Sequence, residues 1–208
     1  MVRIPAEQQR LIFVEATVGV IAEHGVKGAT TRRIAEAAGR PLTTLHYLFH
    51  TKEDLFFAIF EVEAKLIREV FDERPTGSGL AEVAQAALRQ IMEWFQTHPD
   101  YARAQSELQL WALRQDRDRS LARRSYEVSF DTLRGALDDA VGRPVDEELA
   151  DVVARLIIVL VDGLLLSWYA CDDDQRLAAD LDTACETLAL LIGARSGGRP
   201  ANGREASA

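Results

Sequence analysis

The chain has 208 residues, 48% of them apolar and 27% charged, with a formal net charge of −9. Such values fit one substantial globular domain, or a small one fused to a larger one, and exclude wholesale disorder, collagen-like repeats and low complexity. Cys171 and Cys185 are the only cysteines and form no CxxC pair, so neither a disulfide scaffold nor a cysteine zinc site is expected. The start, MVRIPAEQQR, has no apolar signal core, which predicts a cytoplasmic protein.

Apolar spacing reads as helix throughout, so the predicted fold class is all-α. The first helix spans residues 5–24, with Leu11, Val14, Val18, Ile21 and Ala22 on its inner stripe and Gly25 in a left-handed stop. Thr30 or Thr31 caps a short second helix that turns Ile34, Ala35 and Ala38 inward and ends at Gly39. Pro41 opens a third helix, about 41–49, with Leu45, Leu48 and Phe49 on one side. The fourth starts near Thr51–Lys52 and carries Leu55, Ile59, Val62, Leu66 and Val70 to about residue 73. Past the breaker Pro75–Gly79, helices are expected at about 80–98, 100–115, 118–141, 146–171 and 175–194. Residues 196–208 are small and polar and read as a disordered tail.

Segment 152–170 is too interrupted by Arg155 and Asp162 to cross a membrane. Being apolar nearly all round, it reads as buried on two sides. Leu156, Leu160 and Leu164 are expected in the chain's own core. Ile157, Val161 and Leu165, with Leu181 and Leu188 of the last helix, are expected to form a four-helix seam between two copies. Asp162 needs a partner there, and Arg155, Arg134 or a ligand group could supply it.

Charge is unevenly spread. Residues 1–60 hold seven basic against six acidic side chains, and residues 25–52 five against one, so the acidity lies in the remainder. An acidic body with one basic segment predicts an anionic partner at one end. That segment, GVKGATTRRIAEAAGRPLTTLHYLFHTK, reads as two short helices joined by a tight turn at Gly39, the geometry of a helix-turn-helix. The free side of its second helix (Leu42, Thr43, Thr44, His46, Tyr47) is rich in hydrogen-bonding groups, as a helix lying in a major groove requires.

The segment resembles the N-terminal pattern of the TetR family of one-component transcriptional regulators, roughly G-x-x-x-x-T-x-x-x-I-A-x-x-A-G-V-S-x-G-x-L-Y-x-H-F-x-x-K-x-x-L. Gly25, Thr30–Thr31, Ile34–Ala35, Ala38–Gly39, Leu45, Phe49, Lys52 and Leu55 stand at the matching spacing, within a stretch of about residues 8–60. Arg40–Pro41 replace the usual Val-Ser, Thr43 a Gly, His46 the Tyr, and Leu48 a His or Tyr. The resemblance implies a DNA-binding domain over 1–50 and a helical effector-binding and dimerisation domain over 51–195. It implies a homodimeric, ligand-responsive regulator, a repressor released from a near-palindromic operator by a small molecule, with no enzymatic activity and no cofactor.

Thr31, at a helix N-terminus, and Lys52 are expected to hold phosphates, with Tyr47 and His46 as further backbone contacts. Arg32 could reach a base edge, Arg33 a phosphate, and Thr43 and Thr44 are the expected base readers. The departures at 40–48 and the acidic total leave an alternative open, an all-helical enzyme or ligand carrier whose head no longer binds DNA.

For the effector, Tyr101, Gln105, Leu108, Trp111 and Gln115 share a helix face mixing rings with amides. Together with Trp94, Phe130 and Trp168, the first four are the expected lining of a cavity. His46, His50 and Glu53 are spaced like metal ligands, but the helix is expected to break between them. Asp172–Asp174 reads as a helix cap, so no metal is expected.

Overall fold

The computed structural model describes residues 4–72, 79–115, 120–142 and 144–197, and among these only helices are found. In chain order they are α1 (Ala6–Gly28), α2 (Thr31–Ala37), α3 (Leu42–Leu48), α4 (Lys52–Asp72), α5 (Leu80–Thr97), α6 (Pro99–Gln115), α7 (Ser120–Val141), α8 (Glu147–Cys171) and α9 (Asp174–Gly197). The expected elements are present with ends shifted by a few residues. The predicted tail falls outside the described residues from 198 onward, and α9 runs through its first two positions.

Local chemistry explains the ends. The Thr30 hydroxyl caps α2 by accepting from the Arg33 amide at 3.2 Å. Gly39, at φ +59°, makes the turn into α3. Thr51 and Asp54 close a reciprocal box over the start of α4: Asp54 accepts from the Thr51 amide at 2.9 Å, and Thr51 Oγ1 from the Asp54 amide at 3.0 Å. Asp146 caps α8, Asp172 ends it in the left-handed region at φ 50°, and Asp173 caps α9. The aspartate run is thus a helix junction, as its composition suggests.

Gly25 has the positive φ expected of it, but at ψ 166° it is a kink and not a stop, and one further turn follows to Gly28. The inner stripe of α1 keeps Val14, Val18 and Ile21 and adds Phe13 and Thr17, while Ala22 is half-buried and Leu11 is exposed.

Two apolar clusters form the interior. The first joins α1, α2 and α3 to Leu55, Phe56 and Ile59 of α4, to Ala104 and Leu108 of α6, and to Leu121 of α7. The second joins α5, the C-terminal half of α7, α8 and α9. Packing therefore does not divide at residue 50. The first half of α4 completes the head core, while Ile67 further along packs on the body.

The expected seam between copies needs correction. Ile157, Val161, Leu165 and Leu188 are buried within the single chain, and Leu181 is half-buried against the same core. The cause is that α8 is enclosed by α5, α7 and α9, so both of its predicted stripes face its own chain. The apolar surface left outside is Val159 (63% exposed) and Leu166 on α8 and Leu190 (75%) on α9.

Candidate nucleic-acid interface and effector cavity

Leu45 and Phe49 anchor α3 inward, Phe49 meeting Phe13 edge-to-face at 6.4 Å. The opposite side is open: Leu42, Thr43 and His46 are exposed, Tyr47 is 79% exposed, and Thr44 is half-buried at the margin. A helix held by one apolar edge with a polar edge free can enter a groove without repacking its support.

Arg10 of α1 holds the other end of α3, a role no sequence signal indicated. Its Nη1 donates to the Leu48 carbonyl at 3.0 Å and its guanidinium lies 4.5 Å from the Phe49 ring centroid. The separation of 38 residues hides this pair from local spacing rules.

Around α3 the expected phosphate and base groups differ in freedom. Thr31 is half-buried beside the cap and Lys52 extends over the Phe56 ring at 4.9 Å. Partial burial lowers the Lys52 pKa from its ordinary value. Arg32 pairs with Glu36 at 3.0 Å on the open surface, a bond worth at most about 1 kcal/mol and readily exchanged for another anion. Arg33, itself exposed, donates to the Gly28 carbonyl at 2.6 Å. A phosphate contact by Arg33 would have to compete with that bond.

In the body, most of the expected effector lining is packed elsewhere. Trp94 stacks on His98 at 4.6 Å and meets Tyr101 edge-on at 5.3 Å. Trp111 edges onto Phe56 at 5.5 Å, and Leu108 is fully buried in the head core. Phe130 lies under the Arg155 guanidinium, and the Trp168 indole donates to Asp174 at 2.8 Å. Only Gln105 of the seven reaches the interior cavity. Periodicity found the right helix but not the direction of the space, which depends on how five helices meet.

That cavity, of about 40 Å³, lies among α4 to α8 and is bounded by Glu63, Phe95, Gln105, Ser129, Ile158 and Asp162, among others. A second lobe of about 20 Å³ shares Gln105, Ser129, Ile158 and Asp162 and adds Gln109 and Tyr126. Asp162 accepts a short hydrogen bond from the Tyr126 hydroxyl, not from either expected arginine. Arg134 pairs with Asp151 at 2.8 Å and with Asp138, and Arg155 lies by Asp151 and Phe130. Burial raises the Asp162 pKa, against the donated bond that lowers it, and burial also pushes the Tyr126 phenol upward. Glu63 is 3% exposed, its Oε1 has no hydrogen-bond partner, and burial followed by the charge of Asp162 raises its pKa well above the carboxylate range. Glu63 was missed because, on an amphipathic helix, a single glutamate reads as surface.

A larger concavity, an open trough of about 630 Å³ between α1 and α4, is rimmed by Glu61, Lys65 and Glu69. It contains none of the buried unpaired polar atoms found among the described residues.

A helix-turn-helix with a free polar edge, supported by a helical body with an interior cavity, defines a DNA-binding transcriptional regulator. The pattern of the bacterial regulatory proteins of the tetR family matches residues 13–59. The chain is 32% identical over 164 residues to the HTH-type transcriptional repressor Rv1474c of Mycobacterium tuberculosis, covering 77% of this chain and 82% of that one. It is 29% identical over 178 residues to the HTH-type nicotine-responsive transcriptional repressor HdnoR of Paenarthrobacter nicotinovorans, with 84% and 90% covered. The fold is also that of the regulator FadR from Bacillus subtilis, solved in complex with stearoyl-CoA, at a TM-score of 0.65 and 21% identity over 86% of this chain and 97% of that one. The chain belongs to the tetR family of bacterial regulatory proteins, and it is a transcriptional regulator, not an enzyme.

Proposed function

We propose that the protein is a homodimeric repressor that occupies a near-palindromic operator in the cytoplasm and is released by a small molecule. The observation that carries this reading is the course of α4. It begins beside the recognition helix at Lys52 and, eleven residues on, contributes Glu63 to the cavity. At 1.5 Å per residue the two groups lie about 16 Å apart along one rigid rod. A ligand that shifts Glu63 therefore shifts the head.

Within the 1–50 head, Thr43 and Thr44 are the proposed base readers and Leu42 an apolar contact. Thr31, His46, Tyr47 and Lys52 are proposed for the phosphates, and Arg32 joins them by exchanging Glu36 for DNA. Arg33 is proposed as a support of the head in place of a phosphate ligand. The 51–195 body carries effector binding and dimerisation, the latter through Val159, Leu166 and Leu190. Two recognition helices in successive major grooves would stand about 34–36 Å apart. A tenfold release from DNA needs only about 1.4 kcal/mol of preference of the ligand for the head-spread state. The nicotine response stated in the name of the HdnoR relative supports control by a small molecule.

The test is selection of genomic fragments by the purified protein, followed by titration of the enriched DNA. One or a few near-palindromic sites should emerge, bound as two chains per site. Failure to enrich any fragment refutes the reading.

A further inference from the structure

Five buried side-chain polar atoms among the described residues have no hydrogen-bond partner, and three of them, on Glu63, Gln105 and Gln109, line the two lobes of the interior cavity. Two of those three are acceptors, Glu63 Oε1 and Gln105 Oε1. Asp162 stands at the same space with one donor, the Tyr126 hydroxyl. Among the described residues, no lysine, arginine or histidine lines either lobe. Apart from the Ser129 hydroxyl, the walls between these groups are apolar: Ile67, Ile91, Phe95, Leu133 and Val161.

Buried acceptors without donors are costly, by about 1–3 kcal/mol each and more when charged. An apolar cavity with several convergent acceptors and no cation is therefore complementary to a compact group with several N–H donors and a positive charge. We propose that the effector is a protonated amine, whose ammonium seats between Glu63, Gln105 and Asp162. This names the ligand class of the regulator proposed above and rests on that reading only for its consequence at DNA.

The size of the space fixes what enters. About one probe sphere, 10–15 Å³, is enough for a water molecule, and a cavity near 150 Å³ is needed for a benzene ring. At about 40 Å³ the main lobe takes the ammonium group and its first carbon, not a whole ring. The remaining apolar part of the ligand must part the helices around Phe95 and Ile158, and α4 with them.

Proton bookkeeping follows from the groups around Glu63. Burial first, and then Asp162 of α8, raise its pKa, and the phenol of Tyr101 on α6, pushed to about 12 by its own burial and next by Glu15, also feels Glu63. Tyr126 of α7 faces Asp162, while α5 presents only apolar groups to the cavity. Without a cation, Glu63 is held toward its neutral form. As R–NH3⁺ enters, the carboxyl gives its proton to solvent and remains as carboxylate, so binding tightens as pH rises until the amine itself deprotonates.

The experiment uses the full chain without DNA and three probes of one shape: cyclohexylamine, cyclohexanol and cyclohexanecarboxylate. Binding is read by calorimetry in buffers of different ionisation enthalpy. The amine alone should bind, with net proton release, and Glu63→Gln, which keeps the shape of the neutral carboxyl, should weaken it at least tenfold and abolish the release. Asp162→Asn should weaken it as well and serves if the first variant does not fold. Equal binding of the alcohol or the carboxylate overturns the proposal, as does unchanged amine affinity in Glu63→Gln or no amine binding at millimolar concentration. Since no DNA is present, a protein that failed to bind an operator would still give a clear answer here.

Discussion

Gly25→Ala tests how the head is joined to the body. Gly25 sits at φ 71°, ψ 166°, a region essentially reserved for glycine, so a methyl group there costs about 2–3 kcal/mol in backbone strain alone. Its Cβ would also stand 2.8 Å from Glu107 Oε1, which accepts the Val26 amide at 2.7 Å. Moving that carboxylate leaves the amide of a buried residue unpaired, adding about 1 kcal/mol after allowance for the exposed side of Glu107. The sum is about 3–4 kcal/mol, and at 2–4 °C per kcal/mol for a chain of this length the melting temperature should fall by roughly 10 °C. Calorimetric or circular-dichroism melts of Gly25→Ala, Glu107→Ala and the double variant form the assay. In the Glu107→Ala background the glycine substitution should cost only its strain, giving a coupling of about 1 kcal/mol. A Gly25→Ala melt within about 2 °C of the parent would refute the reasoning.

Lys52→Ala should weaken operator binding almost equally for all sequences and reduce the salt slope by about one unit, checked by fluorescence titration at several salt concentrations. Thr44→Ala, by contrast, should lose discrimination at one base position, worth about 1–3 kcal/mol, with the salt slope unchanged. Glu63 binds its proton more tightly folded than unfolded, so its contribution to stability is greatest below the unfolded value of 4.5 and is lost as pH rises toward the raised folded value. The stability of Glu63→Gln relative to the parent, from denaturant melts, should therefore improve from acid to neutral pH. Val159→Asp or Leu190→Asp should yield monomers by light scattering, while Leu181→Ala, with a half-buried side chain, should chiefly lower stability.

Much of the fold was legible because helix ends carry local chemistry: the Thr30 cap, the turn at Gly39 and the aspartate run before α9 act within a few residues of themselves. The exposed edge of α3 was legible for the same reason, since a seven-residue helix with Leu45 inward has only one way to turn Thr43 and His46. Features depending on which helix faces which were not legible. On α8 an apolar circumference gave no phase, and the stripe expected at a seam between copies lies in the chain's own core beside the stripe expected there. Arg10 on Leu48, Glu107 on Val26 and Tyr126 on Asp162 pair across 38, 81 and 36 residues, beyond any spacing rule. Trp168 looked like a pocket wall, yet its indole N–H is taken by Asp174 only six residues on.

The short turn after Gly25 is gripped from two directions, by Glu107 of α6 at the Val26 amide and by Arg33 of α2 at the Gly28 carbonyl. With α4 as another tie, and with Ala104 and Leu108 of α6 and Leu121 of α7 inside the head's own core, the head shares its packing with the near end of the body. A displacement carried along α4 would therefore have to slide α1 over α6, taking the whole head with it, while the bend joining α2 to α3 keeps its shape.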